Sequence, residues 1–414
     1  MAATHHLSKP SAVAALLGAA CLVTASANLV SIAPVRIPLP PGAAGTAPRP
    51  QLQVAAAAAP LPSTTIATAS PSPPACPSLA AIGSWSVARR AAQLVVVSTD
   101  ETDVAAIAPS VAEGAGGVLL YGTDAPPDLG QQLQALEADA EGGLLPLVMT
   151  DEEGGDIQRM SDLVGSIPWP ATMSATMTPS AVYQLGETVA ERMVADGVTV
   201  DLAPVLDLAS GPGPDTAHID GPRSFGAAPA TATTYGLAFA AGLQAGGVMP
   251  VVKHFPGEGS ATPNTDYGPG STPPLATLEA SDLLPFEAAI SAHLPAVMVG
   301  DASVPGLTAG PASLSSAAIT GLLRQQLGFD GLVLTDSLSA PAISDLGLSV
   351  AQASVQAVEA GADMVLYDTT TPNLTFQQTV TALVAAVSDG QLSTQLLDTA
   401  VLQVWSAKDG GVCG

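Results

Sequence analysis

Positive charge and cysteine are both scarce in this sequence, and so are long apolar runs. Of 414 residues, 11 are Lys or Arg against 36 Asp or Glu, a formal net charge of −25. Nucleic acid is excluded as a partner, because holding a polyphosphate takes a patch of cations that neutralises phosphates. An anionic membrane surface would likewise repel a chain with pI near 4.1. The three cysteines, Cys21, Cys76 and Cys413, are too few for a disulfide scaffold and lack the C-x-x-C pairing of a zinc site. No metal and no other cofactor is expected. What is present is 47% hydrophobic residues, much of that share Ala, against 11% charged ones. Such a chain is neither disordered nor fibrous and can bury a large core.

The N-terminal segment carries two His and one Lys, then an apolar stretch from about Ala12 to Val23, then Ala25-Ser26-Ala27. That pattern reads as an export signal over residues 1–27, cleaved after Ala27. The apolar stretch is shorter than the roughly 20 residues a bilayer span needs. Cys21 offers a second reading as a lipoprotein attachment cysteine, although Leu17 sits one place too far upstream for the usual pattern. After cleavage, Cys76 and Cys413 remain and could pair in an oxidising compartment. Residues 28–78, rich in Ala, Pro, Ser and Thr, show no helical or strand period and read as a flexible tether. The expected location is outside the cytoplasm, secreted or at the cell envelope.

From residue 79 to 414, short β-rich runs alternate with longer Ala/Leu-rich segments of helical period. The runs are 94–97, 117–120, 145–149, 198–202, 250–253, 296–299, 332–335 and 364–366. Continuous apolar character, without alternation, is what strands buried on both faces require. Candidate helices span 180–196, 230–245, 314–327 and 349–360, each followed by Gly, which suits a helix C-terminus. Eight βα units of this length fit a single-domain (β/α)₈ barrel of the TIM type. A doubly wound sheet is the alternative, but no Gly-rich phosphate fingerprint follows Val97.

Polar residues cluster directly after these runs, which in a barrel is the face where active sites are built. Asp151-Glu152-Glu153-Gly154-Gly155 follows the third run; Asp201 and Asp207 flank the end of the fourth, with Arg223 beyond. Lys253-His254-Phe255-Pro256-Gly257-Glu258-Gly259 closes the fifth, and Asp301, Asp336 and Asp368 close the last three. Carboxylates with a few cations suit a polyhydroxylated ligand, since each hydroxyl both donates and accepts. A sugar is the natural substrate, and a glycosidase needs a pair of acidic groups flanking the scissile bond.

These motifs carry a resemblance. The run Asp151 to Arg159, the block Ala203-Pro204-Val205-Leu206-Asp207, the tetrad Arg223-Ser224-Phe225-Gly226, the stretch Lys253 to Gly257, and Gly328-Phe329-Asp330-Gly331 leading to Thr335-Asp336-Ser337-Leu338 resemble glycoside hydrolase family 3. Within it they look most like the single-barrel β-N-acetylglucosaminidases, including envelope lipoproteins of actinobacteria. The resemblance implies that Asp336 is the nucleophile of a retaining reaction, forming a covalent glycosyl intermediate. It implies that Asp151 grips sugar hydroxyls, and that Arg159, Arg223, Lys253 and His254 hold the ring and keep the carboxylates ionised. Glu153 is expected to support its loop. Peptidoglycan fragments are the substrate class it suggests, acted on by a monomer with possible envelope association and without the second domain that many members append.

The pattern breaks at the acid/base. The subfamily carries Pro-Gly-His-Gly and then an Asp-Ser-His triplet; this chain has Pro256-Gly257-Glu258-Gly259 and then Asn264-Thr265-Asp266. Asp156 and Pro222 also depart, standing where an Arg and an Asp are usual. Losing the histidine removes a proton donor that contributes roughly 10²–10⁴-fold. Asp266 or Glu258 could take over as a carboxylic acid with raised pKa, or the barrel binds envelope glycans with little catalysis. A third reading, an aldolase-like enzyme with Lys253 as a Schiff base, requires that amine to be neutral.

Overall fold

The computed structural model describes residues 79–140, 144–209 and 211–408. The export signal, the tether and all three cysteines lie outside the described residues. Among the described residues no helix is long and apolar enough to cross a membrane.

Eight parallel strands form one sheet: β1 (Val96–Asp100), β2 (Gly117–Tyr121), β3 (Leu147–Thr150), β4 (Val200–Asp201), β5 (Met249–Phe255), β6 (Ala296–Val299), β7 (Leu332–Ser337) and β8 (Met364–Leu366). Each pairs with its neighbour in chain order, and the first and last edges meet through a parallel bridge between Val95 and Val365. The result is the (β/α)₈ barrel, with every strand near its expected run. The fourth is the shortest, because Pro204 has no N–H to give a ladder and the chain there makes only isolated bonds, as Val205 does with Lys253.

The side chains explain why the runs read as continuous. Val96, Leu119, Met149, Val200, Val251, Met298, Leu334 and Met364 fill the barrel interior. Their sequence neighbours Val97, Val118, Val148, Val252, Val297 and Val333 pack outward against helices. Both faces are therefore largely apolar, and the polar residues the strands do bury, such as Thr150 and Thr335, are hydrogen-bonded to neighbouring strands.

Helices Pro179–Ala195 and Pro229–Ala245 approach closely because Gly186 and Gly242 face the partner backbone. A Cβ on Gly242 would stand 2.2 Å from the carbonyl oxygen of Tyr183. Helix Val350–Ala360 opens with a capping box between Ser349 and Gln352 and closes on Gly361, in the left-handed conformation that Gly adopts without strain. The segment expected as one helix over 314–327 is instead a short 3₁₀ turn, Ala312–Leu314, followed by Ala317–Gln326 with π-type bonding.

Leu334→Ala, at a fully buried position inside the barrel, is expected to cost about 2–5 kcal/mol in urea unfolding. A loss below about 1 kcal/mol would mean that the interior is not close-packed.

Candidate active site

The C-terminal ends of β3 and β5 and the loop beyond β4 converge on four charged side chains. Lys253 Nζ lies 2.5 Å from Asp151 Oδ1 and 2.7 Å from Glu153 Oε1. Glu153 also accepts two hydrogen bonds of 2.8 Å from Nε and Nη2 of Arg223. Burial pushes the Glu153 carboxyl up, but the charges of Arg223 and Lys253 outweigh it and hold it far below the usual range. Burial likewise pulls Lys253 down, yet Asp151 and Glu153 drive it up to about 12. An amine held charged cannot condense with a carbonyl, so the Schiff-base reading of Lys253 is overturned. Glu153, expected only to support its loop, is the carboxylate that both cations share.

A small hairpin, Glu152–Gly154 with Ile157–Gln158, presents Asp151 and Glu153 to this cluster. The Glu152 carboxylate turns the other way, accepting from Arg159 N at 2.6 Å, from Met160 N, and from Gln158 Nε2 at 3.0 Å. Gly155, at φ 63°, lies under Trp169, where a Cβ would come within 1.9 Å of the indole. Only Gly fits that corner. Arg159 stands apart from the cluster: its Nη1 reaches Gly122 O at 3.5 Å, and its charge acts on Glu101.

His254 is anchored by Asp207. Its Nδ1 is 2.6 Å from Asp207 Oδ2, which also accepts His254 N at 3.0 Å, while Asp207 Oδ1 accepts Glu258 N at 2.7 Å. Burial lowers the His254 pKa, but the charge and hydrogen bond of Asp207, and then the charge of Asp336, raise it above its ordinary value.

Asp336 ends β7, half-buried, with Oδ1 accepting from Ser337 N at 2.7 Å. It caps no helix, since the next one, Pro341–Ser344, begins after Ala340. Asp266 rides on a 3₁₀ turn, Thr265–Tyr267, at the exposed lip of the β5 loop. Asn264 fixes that turn by accepting from Asp266 N at 2.9 Å and donating to Asp215 O at 2.9 Å. Protein crowding and the charge of Asp336 push the Asp266 carboxyl up, against a smaller pull from Arg223, His254 and Lys253. The charges of those four groups all reach Asp266.

Glu258 occupies a different place. It is buried, its Oε1 accepts Ala302 N at 2.6 Å, and its carboxyl presses on Gly300, where a Cβ would come within 2.2 Å. Burial, then the charges of Asp207, Asp336 and Asp301, raise its pKa well above the usual range. It ties the β5 loop to the β6 loop from below. Asp301, also buried, accepts from Ser313 Oγ and is pushed well up by burial and Asp336. Asp220 supplies the acid missing at Pro222: its Oδ1 lies 3.6 Å from Arg223 Nη1. Nothing in the local spacing announces the partners of Glu153 or Asp207, which arrive from elsewhere in the chain, 70 residues away for Glu153 and Arg223 and 47 for Asp207 and His254.

A parallel (β/α)₈ barrel whose C-terminal rim carries a carboxylate at the end of β7 and a cation cluster over β3 and β5 has the organisation of a glycosidase. The Glycosyl hydrolase family 3 N terminal domain matches residues 86–407, and the chain belongs to that family. It is 37% identical to the beta-hexosaminidase LpqI of Mycobacterium tuberculosis over 348 residues, 82% of this chain and 87% of that one. The solved structure of M. tuberculosis LpqI superposes with a TM-score of 0.73 at 36% identity, covering 80% of this chain and 97% of the other. A family 3 β-N-acetylglucosaminidase from Paenibacillus sp. FPU-7 also gives 0.73, at 29% identity, covering 80% of this chain and 63% of the other.

Two measurements probe this electrostatic arrangement. Glu153→Gln leaves Lys253 and Arg223 buried with half their counter-charge, and is expected to destabilise the fold by about 3–5 kcal/mol in urea unfolding. Recovery of full stability would show that Asp151 and Asp220 suffice. Separately, burial lifts the carboxyls of Glu152 and Asp220 to about 7 and of Asp363 to about 6, and lifts Asp201, Glu258 and Asp301 well above the usual range. Each keeps its proton in the folded chain at a pH where the unfolded chain has released it, so each destabilises as pH rises through that window. His254, raised when folded, acts in the same direction, whereas the contribution of Glu153 is already complete above the unfolded carboxyl range. The melting temperature should therefore be highest near pH 5 and fall toward pH 8. A melting temperature that climbs across that interval contradicts the assignment.

Proposed function

We propose that this protein is an exported, retaining β-N-acetylhexosaminidase acting on N-acetylglucosamine-containing envelope glycans, with Asp336 as nucleophile and Asp266 as acid/base. The observation that carries the reading is the charge coupling of Asp266 to Asp336 and to Lys253 and Arg223 of the Asp151–Lys253–Glu153–Arg223 cluster. Asp151, Lys253 and His254 supply an acceptor and two donors for ring hydroxyls. Export rests on the N-terminal sequence, and the sugar on the hexosaminidases that the chain resembles.

In the first step a carboxylate oxygen of Asp336 attacks the anomeric carbon as the glycosidic C–O bond breaks. The leaving oxygen takes the proton of Asp266, and a glycosyl ester forms on Asp336. Asp266, now ionised, deprotonates a water that attacks the same carbon and releases the sugar with retained configuration. Asp266 is favoured over Glu258 because it stands at the lip, where an aglycone would leave, whereas Glu258 is sealed under the loop. Its pKa is shifted upward, the direction a proton donor needs.

The test compares aryl N-acetyl-β-glucosaminides with activated and poor leaving groups. Asp336→Ala should abolish turnover of both. Asp266→Asn should slow the poor substrate by roughly 10²–10⁴-fold while sparing glycosylation by the activated one. Equal loss on both substrates would remove Asp266 from the acid role. No turnover by the wild type, with sugar binding retained, would make the protein a glycan-binding relative.

A further inference from the structure

Asp220 is the acid of this site that the protein leaves without a donor. It is fully buried, and neither Oδ1 nor Oδ2 receives a hydrogen bond. Its cationic neighbour, Arg223, stays 3.6 Å away with two N–H groups given to Glu153. A buried carboxylate without donors is costly, and proteins answer such groups with a proton, a cation or a metal. Here one carboxylate oxygen of Asp220, one of Asp207 and a ring nitrogen of His254 lie within 4.8 Å of one another, all three buried.

We propose that Asp207, Asp220 and His254 bind one divalent cation of the zinc class, and that this cation inhibits the enzyme. Two carboxylates and an imidazole are ligands that zinc takes, and three protein ligands leave its fourth position to water. The nitrogen ligand discriminates against magnesium and calcium, which prefer all-oxygen shells. Asp207 Oδ2 and His254 Nδ1, 2.6 Å apart, share a proton. Tetrahedral zinc with bonds near 2.0–2.1 Å holds its ligand atoms about 3.3 Å apart, so the ion replaces that proton and spreads the pair by about 0.7 Å. The backbone N–H groups of His254 and Glu258 still hold Asp207 while it moves. The negative charges of Glu153 and Asp336 lie close by and offset Arg223. Inhibition follows because the ion spreads the Asp207–His254 pair and adds positive charge beside the groups that would hold the sugar, displacing His254 from its donor position. That clause rests on the function proposed above, whereas binding itself does not.

The experiment uses the full chain, stripped with chelator and titrated with zinc chloride by calorimetry at neutral pH, for wild type and Asp220→Asn. One zinc per chain is expected, with affinity reduced about tenfold or more in Asp220→Asn while its circular dichroism is retained. X-ray absorption at the zinc edge should show oxygen and nitrogen neighbours without sulfur, and it decides the matter on wild type alone if the variant misfolds. Sulfur neighbours, affinity unchanged by Asp220→Asn, or no binding would overturn the site. Zinc should also inhibit hydrolysis, reversed by chelator. Zinc binding in a protein that hydrolyses no hexosaminide would refute the proposed function and leave the site standing; hydrolysis without zinc binding would do the reverse.

Discussion

The geometry of the rim depends on one buried carboxylate. Glu153 binds Arg223 through two hydrogen bonds and Lys253 through a third contact, so the ends of β3 and β5 and the loop beyond β4 share one electrostatic centre. Neither cation could sit in the interior without it, because desolvating a charge is affordable only with a close partner. Asp151 completes the arrangement and is the more exposed of its two acids, at 18%.

Around that centre the chain accumulates acids, Glu258, Asp266, Asp301 and Asp336 among them. Burial first, and then the charge of Asp336 among others, raises the pKa values of Asp266, Asp301 and Glu258. A crowd of carboxyls in a low dielectric cannot all be ionised, so some serve as neutral acids. This environment favours the protonated form of a carboxyl group. Burial separates their roles: Glu258 bonds the Ala302 amide under the loop, while Asp266 reaches the lip.

The barrel was legible in the sequence because strands buried on both faces leave uninterrupted apolar runs, and Val96 beside Val97 shows the two faces directly. The segment after Leu314 reads as an α-helix because Ala318, Ile319, Leu322 and Leu323 keep a helical spacing, which does not distinguish π-type from α-type bonding over ten residues. Asp336, Lys253 and Arg223 were visible through motifs. Glu153 was visible but read as scaffolding, because its value comes from cations that meet it only across the rim.

The sequence alone determined which residues face the rim, since a strand's last residue and the loop after it emerge at the barrel's C-terminal end whatever surrounds them. It also placed Glu258, Asn264 and Asp266 on the loop after the fifth strand. Tertiary structure decided what each acid is. Charge state, burial and partner depend on distances between separate loops: Asp207 holding His254, Asp220 left without a donor, Lys253 locked as a cation. Such interactions fall off with separation in space, which local spacing along the chain does not record.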